Sequence, residues 1–477
     1  MEKKKNSRRS VTRKPQRPPI ELTIERLNDE GIGMGRLGGK EVQVAATLPG
    51  EKIALSIEHE GQYRIIGKLE SVITPHPERR RPPCSHFGHC LGCSLIHLKD
   101  QAQLHFKTER VKQALQAHAS LNAVRVHEVW GAAATLGYRT TAKLAMAKDR
   151  GKVKIGLYRR GSHNVVDIDD CPLHHPLINR IVQVVKQEVE RQGIYVYNPA
   201  RQSGLLRYLT IRVSPVFDKA MVTFVTSEKN FREVTHLAKG LQKKVPEVVS
   251  IQQNINTSAG NVIFGRDTLK MLGAVDLIDQ VGDIRLRISP TSFFQVNNPQ
   301  AARIYELVRQ WAALQQEDTA IDLYCGIGGI AMNLARDAGR IIGIEVVEEA
   351  VRNARENAQM NGLQGCSFRA GDAAELVHDL SHEVAAGNVA VVNPPRGGCA
   401  LEVLEALVQL KPRTLIYVSC NPDTLARDLD LLAGLGYRTE EIQPVDMFPQ
   451  TSHVESVARL VPDRDRLPRK KSQQSSY

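Results

Sequence analysis

The sequence lacks the long apolar runs of membrane proteins, because no stretch approaches 18 apolar residues in a row. Its first residues, Met1–Lys5, are mostly charged, and the apolar segment of a secretory signal does not follow them. No internal repeat is present either. We therefore expect neither a membrane-spanning nor a repeat architecture, and predict a cytoplasmic protein with no membrane partner. The remaining composition, 42% hydrophobic and 24% charged, is ordinary for a globular protein.

Cysteine is scarce, with eight residues in a chain of 477, but its distribution is informative. Four cysteines form a candidate metal site, three on one loop and one distant: Cys84, Cys90, Cys93 and Cys171. Since no secretory signal is present, their close spacing favours a metal over disulfides. The spacing suits a [4Fe–4S] cluster, and a proline after the last ligand is common in such runs. Zinc fits equally well, because histidines lie nearby. Reduced thiols without metal are the third alternative.

Positive charge is concentrated at the two ends of the chain. The formal net charge is +12, and residues 1–19 carry eight Lys or Arg with one acidic residue. Residues 463–477 carry five Lys or Arg with two acidic residues. Both ends are rich in Pro, Ser and Gln, so we predict a disordered basic tail at each end that binds phosphates without reading sequence. A purely solubilising role is the alternative.

The rest of the chain divides into segments of different pattern. Residues 20–72 show five short strand-like stretches separated by glycine turns, which predicts a small OB-like β-barrel. Residues 73–285 combine the cysteine loop, a helix over 99–119 that we expect to pack on the C-terminal domain, and an α+β block over 125–285 with helices near 177–192 and 231–244. From 286 to 462, strands alternate with helices, which predicts a doubly wound, Rossmann-like α/β domain.

A glycine-rich turn indicates a nucleotide-cofactor site. The strand-like stretch 319–324 runs into residues 325–329, where small residues let a ligand approach the backbone. The turn lacks the last glycine of the dinucleotide fingerprint G-x-G-x-x-G. Two later strands, predicted over 340–345 and 367–372, end in Glu345 and Asp372, which suit ribose hydroxyls and an adenine amine. This combination favours S-adenosylmethionine over NAD. For Glu345 the alternative is an acid attracted by a helix N-terminus.

Cys420 and Glu455 are the candidate reacting residues. The stretch 415–419 is typical of a buried strand, and Cys420 follows it directly, ahead of a helix. Ligands bind at the carboxyl ends of strands in doubly wound sheets. A position beside a helix N-terminus also predicts a lowered thiol pKa. Alone, such a cysteine is more often a small buried residue. Its surrounding motif favours a nucleophile.

Several motifs resemble those of the RNA uracil-C5 methyltransferases. Residues 419–422, Ser-Cys-Asn-Pro, are similar to the nucleophile motif of that family. Residues 446–455, Asp-Met-Phe-Pro-Gln-Thr-Ser-His-Val-Glu, are similar to its base motif, and the stretches 292–297 and 322–329 also match. The likeness covers about residues 20–462. It is closest to the bacterial 23S rRNA uracil methyltransferases of RumA/RlmD type, which carry an iron–sulfur cluster. Within it, residues 20–72 resemble a TRAM domain.

The resemblance implies a reaction with a role for each motif. Uracil C5 is a poor nucleophile, so a thiolate first adds to C6, and a general base later removes the C5 proton. The resemblance implies Cys420 as the nucleophile and Glu455 as the base, with Phe293 and Asn393 at the substrate base. It implies that the S-adenosylmethionine site is formed by Gln295, Tyr324, Gly329, Glu345, Asp372 and Asn393.

The resemblance also implies cofactors and partners. The four cysteines of the candidate metal site would hold a [4Fe–4S] cluster, with zinc as the second candidate. The substrate would be a single-stranded or loop uridine of 23S rRNA, because the target base must leave its stack to reach a buried thiol. We expect a monomer with no DNA partner.

One motif departs from the family pattern. Asn393-Pro394-Pro395-Arg396 stands where the family has Asp-Pro-Pro-Arg or a close variant. An Asn side chain can accept from uracil N3–H and donate to O4, so uracil recognition is retained. Adenine-N6 methyltransferases also contain Asn-Pro-Pro, but they place Tyr or Phe at the position of Arg396. The remaining alternatives are a tRNA-directed enzyme of the same family and an RNA-binding or assembly protein with a weakened site.

Overall fold

The computed structural model describes residues 18–90, 92–159, 162–260, 262–380, 383–385 and 387–463. Nearly all of the two predicted basic tails lies outside these residues. Within the described part of the chain, no helix is long and apolar enough to cross a membrane.

The chain divides into two compact units. The first extends to Arg81 and includes His97–Lys99, and the second comprises Pro82–Ile96 and the residues from Asp100 onward. The first unit is a six-stranded sheet of order β1-β5-β6-β4-β3-β2, formed by β1 (Ile20–Thr23), β2 (Arg26–Leu27), β3 (Gly33–Leu37), β4 (Lys40–Val44), β5 (Lys52–Glu60) and β6 (Arg64–Thr74). Alternate side chains such as Val42, Val44 and Ile53 form its core. The sequence predicted five strands, because the two residues of β2 are too few to show alternation.

The second unit contains a seven-stranded sheet of order β10-β9-β8-β11-β12-β13-β14. Its strands are β8 (Thr141–Asp149), β9 (Lys152–Tyr158), β10 (Val165–Asp167), β11 (Leu206–Ser214), β12 (Lys219–Thr226), β13 (Val248–Ile255) and β14 (Asp267–Gly273). Helices α2 (Pro176–Gln192) and α3 (Phe231–Lys244) pack on it. Both helices begin at a side-chain cap: His175 accepts from Leu177 N–H, and Asn230 accepts from Glu233 N–H.

The same unit contains an eight-stranded sheet of order β19-β18-β17-β20-β21-β23-β22-β7. Its strands are β7 (Arg125–Val126), β17 (Thr319–Leu323), β18 (Arg340–Glu345), β19 (Cys366–Ala370), β20 (Val389–Val392), β21 (Thr414–Ser419), β22 (Tyr437–Val445) and β23 (Glu455–Pro462). The sheet is parallel from β19 to β21, and β23 is antiparallel to both of its neighbours. The strand order reverses between β17 and β20, which is the switch point where such sheets bind ligands.

Helices and a hairpin surround the eight-stranded sheet. They are α4 (Asn298–Ala312), α5 (Gly329–Leu334), α6 (Glu348–Met360), α7 (Ala373–Leu380), α8 (Leu401–Gln409) and α9 (Pro422–Gly434), with the hairpin β15 (Leu277–Val281) and β16 (Ile284–Ile288). Buried apolar residues on both faces of the sheet form two core clusters. Such double coverage is typical of parallel sheets.

An early segment of the chain joins this C-terminal sheet. Helix α1 (Asp100–Gln116) packs against α9 and β22, and β7 pairs in parallel with β22. The sequence interpretation placed residues 125–285 in one α+β block. That was wrong for β7, because a two-residue strand has no pattern that identifies its partner.

Candidate active site

The turn between β17 and α5 holds two of the predicted cofactor residues. It runs through Tyr324 (φ 61°), Gly326 (φ 55°) and Gly328 (φ 86°). Glycine adopts these left-handed conformations freely, whereas a tyrosine there is strained. A Cβ added to Gly329, the first residue of α5, would lie 2.7 Å from the Tyr305 hydroxyl oxygen. The backbone therefore needs glycine at this position, and strain at a ligand-binding edge indicates function.

Two acidic side chains lie beside this turn. Glu345 ends β18, and its carboxylate accepts from Gly326 N–H at 3.1 Å and from Val347 N–H at 2.9 Å. Asp322 is buried, and its Oδ2 accepts from Ala331 N–H at 2.9 Å. Its Oδ1 has no hydrogen-bond partner among the described residues. Burial raises the pKa of Asp322 to about 8. A buried carboxyl with a spare acceptor is a functional-site feature that the sequence interpretation did not assign.

Asp372 and Asn393 lie at the same edge of the sheet. Asp372 comes two residues after β19, and its Oδ1 accepts from Ala374 N–H at 2.8 Å, at the start of α7. The sequence placed Asp372 within the strand, whereas it precedes the next helix. Asn393 follows β20, is half-buried, and donates its N–H to Leu323 O at 3.2 Å. Because the strands are parallel and adjacent, their carboxyl ends bring these side chains to one edge.

The segment between β16 and α4 is bonded to the seven-stranded sheet. Phe293 is 74% exposed, whereas its neighbours Phe294 and Gln295 are buried. The buried Arg212 of β11 donates to Ser292 O at 2.7 Å. An exposed aromatic ring on a fixed backbone is suited to stacking on a base.

The register of β21 and β23 brings the two candidate reacting residues together. Ser419 of β21 is paired with Ser456 of β23, so the next residues along the antiparallel strands, Cys420 and Glu455, lie opposite each other. Asn421 caps α9 by accepting from Asp423 N–H at 3.1 Å. The cap fixes the backbone on the helix side of Cys420.

Burial controls the protonation of both residues. It raises the pKa of the Cys420 thiol, and the charge of Glu455 raises it further, while the Arg396 guanidinium opposes both effects. The lowered thiol pKa predicted from the helix N-terminus is therefore wrong in the protein alone, because desolvation outweighs that effect. Burial also raises the pKa of Glu455 to about 8, against the lowering effect of Arg396.

Arg396 is the residue that the sequence interpretation missed. In the sequence it is only the fourth residue of Asn-Pro-Pro-Arg, yet its guanidinium lowers the pKa of both Cys420 and Glu455. Its Nη2 also lies 3.4 Å from Nε2 of His453. The motif contains this arginine, but only the structure shows that its side chain lies beside the two candidate reacting residues.

The four cysteines of the candidate metal site line one small cavity together with apolar side chains such as Phe87 and Ile168. Burial raises the pKa of Cys93, and the charges of the other three thiols raise it further. Across the described ranges, no group of three or more His, Cys, Asp or Glu side chains is arranged to hold a metal ion.

A doubly wound sheet with a glycine turn and acidic side chains at its switch point defines an α/β domain of the methyltransferase type. Comparison with known proteins agrees. The family model of the tRNA (uracil-5-)-methyltransferases matches residues 99–461. An uncharacterised RNA methyltransferase of Geobacter sulfurreducens is 46% identical over 452 residues, which cover 94% of this chain and 91% of that protein. An uncharacterised RNA methyltransferase of Bacillus cereus is 36% identical over 441 residues, which cover 92% of this chain and 96% of that protein.

A solved structure extends the likeness. The tRNA (uracil-54, C5)-methyltransferase of Pyrococcus abyssi, in complex with S-adenosyl-L-homocysteine, matches with a TM-score of 0.73 and 30% identity, over 93% of this chain and all of that one. The chain therefore belongs to the tRNA (uracil-5-)-methyltransferase family. The predicted class, an S-adenosylmethionine-dependent RNA methyltransferase of the uracil-C5 family, is confirmed.

Proposed function

We propose that this enzyme methylates C5 of a uridine in RNA through a covalent adduct between Cys420 and C6 of the base. The observation that carries the proposal is the β21–β23 register, which sets Cys420 opposite Glu455 at the carboxyl edge of the sheet. A thiol and a carboxyl group held on neighbouring strands can act on adjacent carbons of one ring.

The chemistry follows from the weakness of uracil C5 as a nucleophile. The Cys420 thiolate adds to C6, and the electrons of the C5=C6 bond move into an enolate, so that C5 becomes nucleophilic. S-adenosylmethionine, when bound, supplies the electrophilic methyl group that C5 accepts. Glu455 then removes the C5 proton, the C5=C6 bond re-forms, and the C6–S bond breaks with its electron pair on sulfur. Arg396 favours the thiolate throughout.

The methyl-donor site is proposed at the switch point. Glu345 and Asp372 would read the ribose and the adenine, while Tyr324, Gly329, Gln295 and Asn393 line the remaining space. The fit is supported by the buried Asp322, whose Oδ1 has no hydrogen-bond partner among the described residues. Each Glu345 oxygen already accepts one N–H, and each retains a second lone pair for a hydroxyl.

Uracil recognition is proposed for Asn393 and Phe293. The half-buried amide of Asn393 can accept from N3–H and donate to O4, and the exposed ring of Phe293 offers a stacking surface. In this role Asn393 replaces the usual Asp of the motif.

For the RNA, we propose a single-stranded or loop uridine of 23S rRNA. The four-cysteine set and the resemblance of residues 20–72 to a TRAM domain support this choice. A tRNA substrate is the second candidate, favoured by the likeness to the tRNA enzyme of Pyrococcus abyssi over 93% of this chain. Mapping of 5-methyluridine in both RNA classes from a deletion strain distinguishes the two, since only the true substrate loses the modification.

A [4Fe–4S] cluster on the four cysteines is proposed, supported by their convergence on one cavity. Zinc is the second candidate, because His86 lines the same cavity. Anaerobic purification tests this: brown protein containing iron and sulfide supports the cluster, whereas colourless protein containing zinc contradicts it.

Release of tritium from [5-³H]uridine RNA tests the proposed reaction. The intact enzyme should release tritium in proportion to methyl transfer, and Cys420→Ala should release none while still binding S-adenosylhomocysteine. Glu455→Gln should accumulate a covalent RNA–protein adduct, because the C5 proton stays in place. An RNA-binding or assembly protein without activity would bind the RNA but give neither tritium nor adduct.

A further inference from the structure

The loop that leads to Glu455 is unusually well enclosed. Val445 of β22 pairs with Glu455 of β23, so residues 446–454, here called the base loop, connect two adjacent strands. Hairpin loops of this length normally lie at the surface and move. In the base loop every side chain is buried except those of Phe448, which is half-buried, and His453, which is exposed. The backbone of a buried loop must be bonded by other parts of the protein.

Five consecutive carbonyl groups of the base loop accept hydrogen bonds from outside it. The donors to the carbonyls of residues 446–450 are, in order, Gln300 Nε2 (3.0 Å), Asn297 Nδ2 (3.2 Å), Lys107 Nζ (3.0 Å), the Tyr138 hydroxyl (3.0 Å) and Leu95 N–H (3.0 Å). These donors belong to α1, α4 and separate loops. The base loop therefore takes its conformation from elements distant in sequence.

Gln450 is the most strongly held residue of the base loop. Its backbone has φ 71°, which is unfavourable for a non-glycine residue. Its N–H donates to Gln103 Oε1 at 3.0 Å, and its Oε1 accepts from Gln103 Nε2 at 2.9 Å. Its Nε2 donates to Asp100 Oδ1 at 3.0 Å. Helix α1 thus holds both the backbone and the side chain of this strained residue.

A buried ion pair anchors the start of the base loop. Lys107 Nζ lies 2.5 Å from Asp446 Oδ1, and both side chains are almost fully inaccessible. Burial lowers the pKa of Lys107 and raises that of Asp446, and the charge of each opposes the effect on the other. Removing one partner alone leaves a buried charge uncompensated.

We propose that Gln103 and Lys107 of α1 are positioning residues for proton removal by Glu455. They hold the base loop so that the carboxylate faces the C5 proton of the adduct. Cys420 lies between β21 and the Asn421 cap of α9, outside the base loop. Adduct formation and methyl transfer therefore proceed without the contacts of Gln103 and Lys107. This inference rests on the proposed covalent mechanism and assigns a step of it to two side chains outside the reacting site.

The test uses Lys107→Met and Gln103→Leu in the full chain. Both should lower kcat about 10-fold to 100-fold with little change in KM, the range for an impaired general base. The methylated RNA–protein adduct should accumulate, because formation continues while elimination slows. Lys112→Met is the matched control on the same helix, where Lys112 pairs with Glu109, and it should turn over normally.

A double variant separates positioning from folding. Lys107→Met/Asp446→Asn removes the uncompensated charge, so stability should recover relative to Lys107→Met while the adduct still accumulates, since the bond to Phe448 O remains lost. If activity instead follows stability in all variants and no adduct accumulates, the positioning role is refuted. Glu455→Gln is run in parallel. If Glu455→Gln accumulates adduct and the α1 variants do not, only this inference is refuted. If Glu455→Gln accumulates no adduct either, the covalent mechanism itself is refuted.

Discussion

Cys420 sits opposite a carboxyl group that makes its ionisation harder. Burial and the charge of Glu455 raise the thiol pKa, and Arg396 is the nearby cation that offsets them. Glu455 itself has a pKa raised to about 8 by burial. The proposed reaction needs both groups ionised, so we expect kcat/KM to rise with pH up to at least about 8. The protonation state, more than the distance between the two residues, is the property that the site has to control.

Replacement of Arg396 by Gln should move the pH profile of kcat/KM towards higher pH. The change removes the cation that lowers the pKa of both Cys420 and Glu455. We expect a loss of about 10-fold to 100-fold at neutral pH that is partly recovered above pH 8. Arg396→Lys keeps the charge and is the control. The pH dependence of Cys420 alkylation, followed by peptide mass spectrometry, should shift in the same direction; identical profiles would contradict this role.

Glu455→Gln should stabilise the free protein, and the gain should grow with pH. The folded-state pKa of Glu455 is about 8 against an ordinary value of 4.5. Between these values the unfolded chain releases the proton while the folded protein keeps it, so the wild-type protein loses stability as pH rises through this window. A gain of a few degrees in Tm at pH 8, and none near pH 4, is expected. Glu317→Gln, at an exposed position, should show no such trend.

At the scale of single residues, the sequence predicts which residues form the candidate site better than it predicts their protonation states. The motifs single out Cys420 and Glu455, because the proposed chemistry requires those residue types, and the structure places the two residues opposite each other. The sign of the Cys420 pKa shift was not predicted correctly, because desolvation depends on what the fold places around the thiol. For the same reason, only the structure shows that Oδ1 of Asp322 lacks a hydrogen-bond partner among the described residues and that Arg396 lies beside Cys420 and Glu455.

At the scale of elements, agreement followed the strength of the local pattern. Helix α3 was predicted over the residues that form it, since its apolar periodicity and its Asn230 cap are local. β18 was also predicted over its full extent, being a short apolar run. Asp372 was misplaced, because a strand end and a helix start cannot be separated by composition alone. β7 was not predicted, because two residues are too few to show the alternating pattern of a strand.

The turn before α5 yields a prediction for cofactor binding. Gly329→Ala would place a Cβ 2.7 Å from the hydroxyl oxygen of the buried Tyr305, so the first turn of α5 must shift. We expect affinity for S-adenosylhomocysteine to fall at least about 10-fold, measured by calorimetry. Tyr305→Phe in the same chain should restore part of it by removing that oxygen. The control is Gly434→Ala in α9, where a Cβ would meet nothing within 4 Å; equal losses in both variants would contradict the argument.

At the scale of the whole molecule, the C-terminal sheet is completed by residues from early in the chain. Arg110 of α1 forms an ion pair with Asp423 of α9, and Lys107 neutralises the buried Asp446. These contacts join residues more than 300 positions apart, which no local pattern predicts. The sequence predicted the doubly wound sheet and the packing of a helix over 99–119 on the C-terminal domain, whereas it did not predict the individual contacts of α1 or the pairing of β7 with β22.

A fragment of residues 276–463, which keeps the β15–β16 hairpin but lacks α1 and β7, should therefore fail to fold. Without α1 and β7 it exposes the apolar residues that they cover and leaves Asp446 without its cation, a loss of about 3–5 kcal/mol for the ion pair alone. Circular dichroism in the near ultraviolet should show no fixed tertiary packing. The same fragment joined to residues 99–130 through a flexible linker should recover it. A native spectrum from the fragment alone would show that α1 is dispensable for folding.

The raised pKa of Cys420 also bears on how the protein survives oxidising conditions. Peroxides and alkylating agents attack thiolates far faster than thiols. Because the thiol of Cys420, the proposed nucleophile, has a raised pKa, it should react poorly with such agents, and sulfenic acid should form slowly at this position. Selective inactivation would then come from uracil analogues that trap the sulfur during turnover, whereas general thiol reagents should react slowly with Cys420.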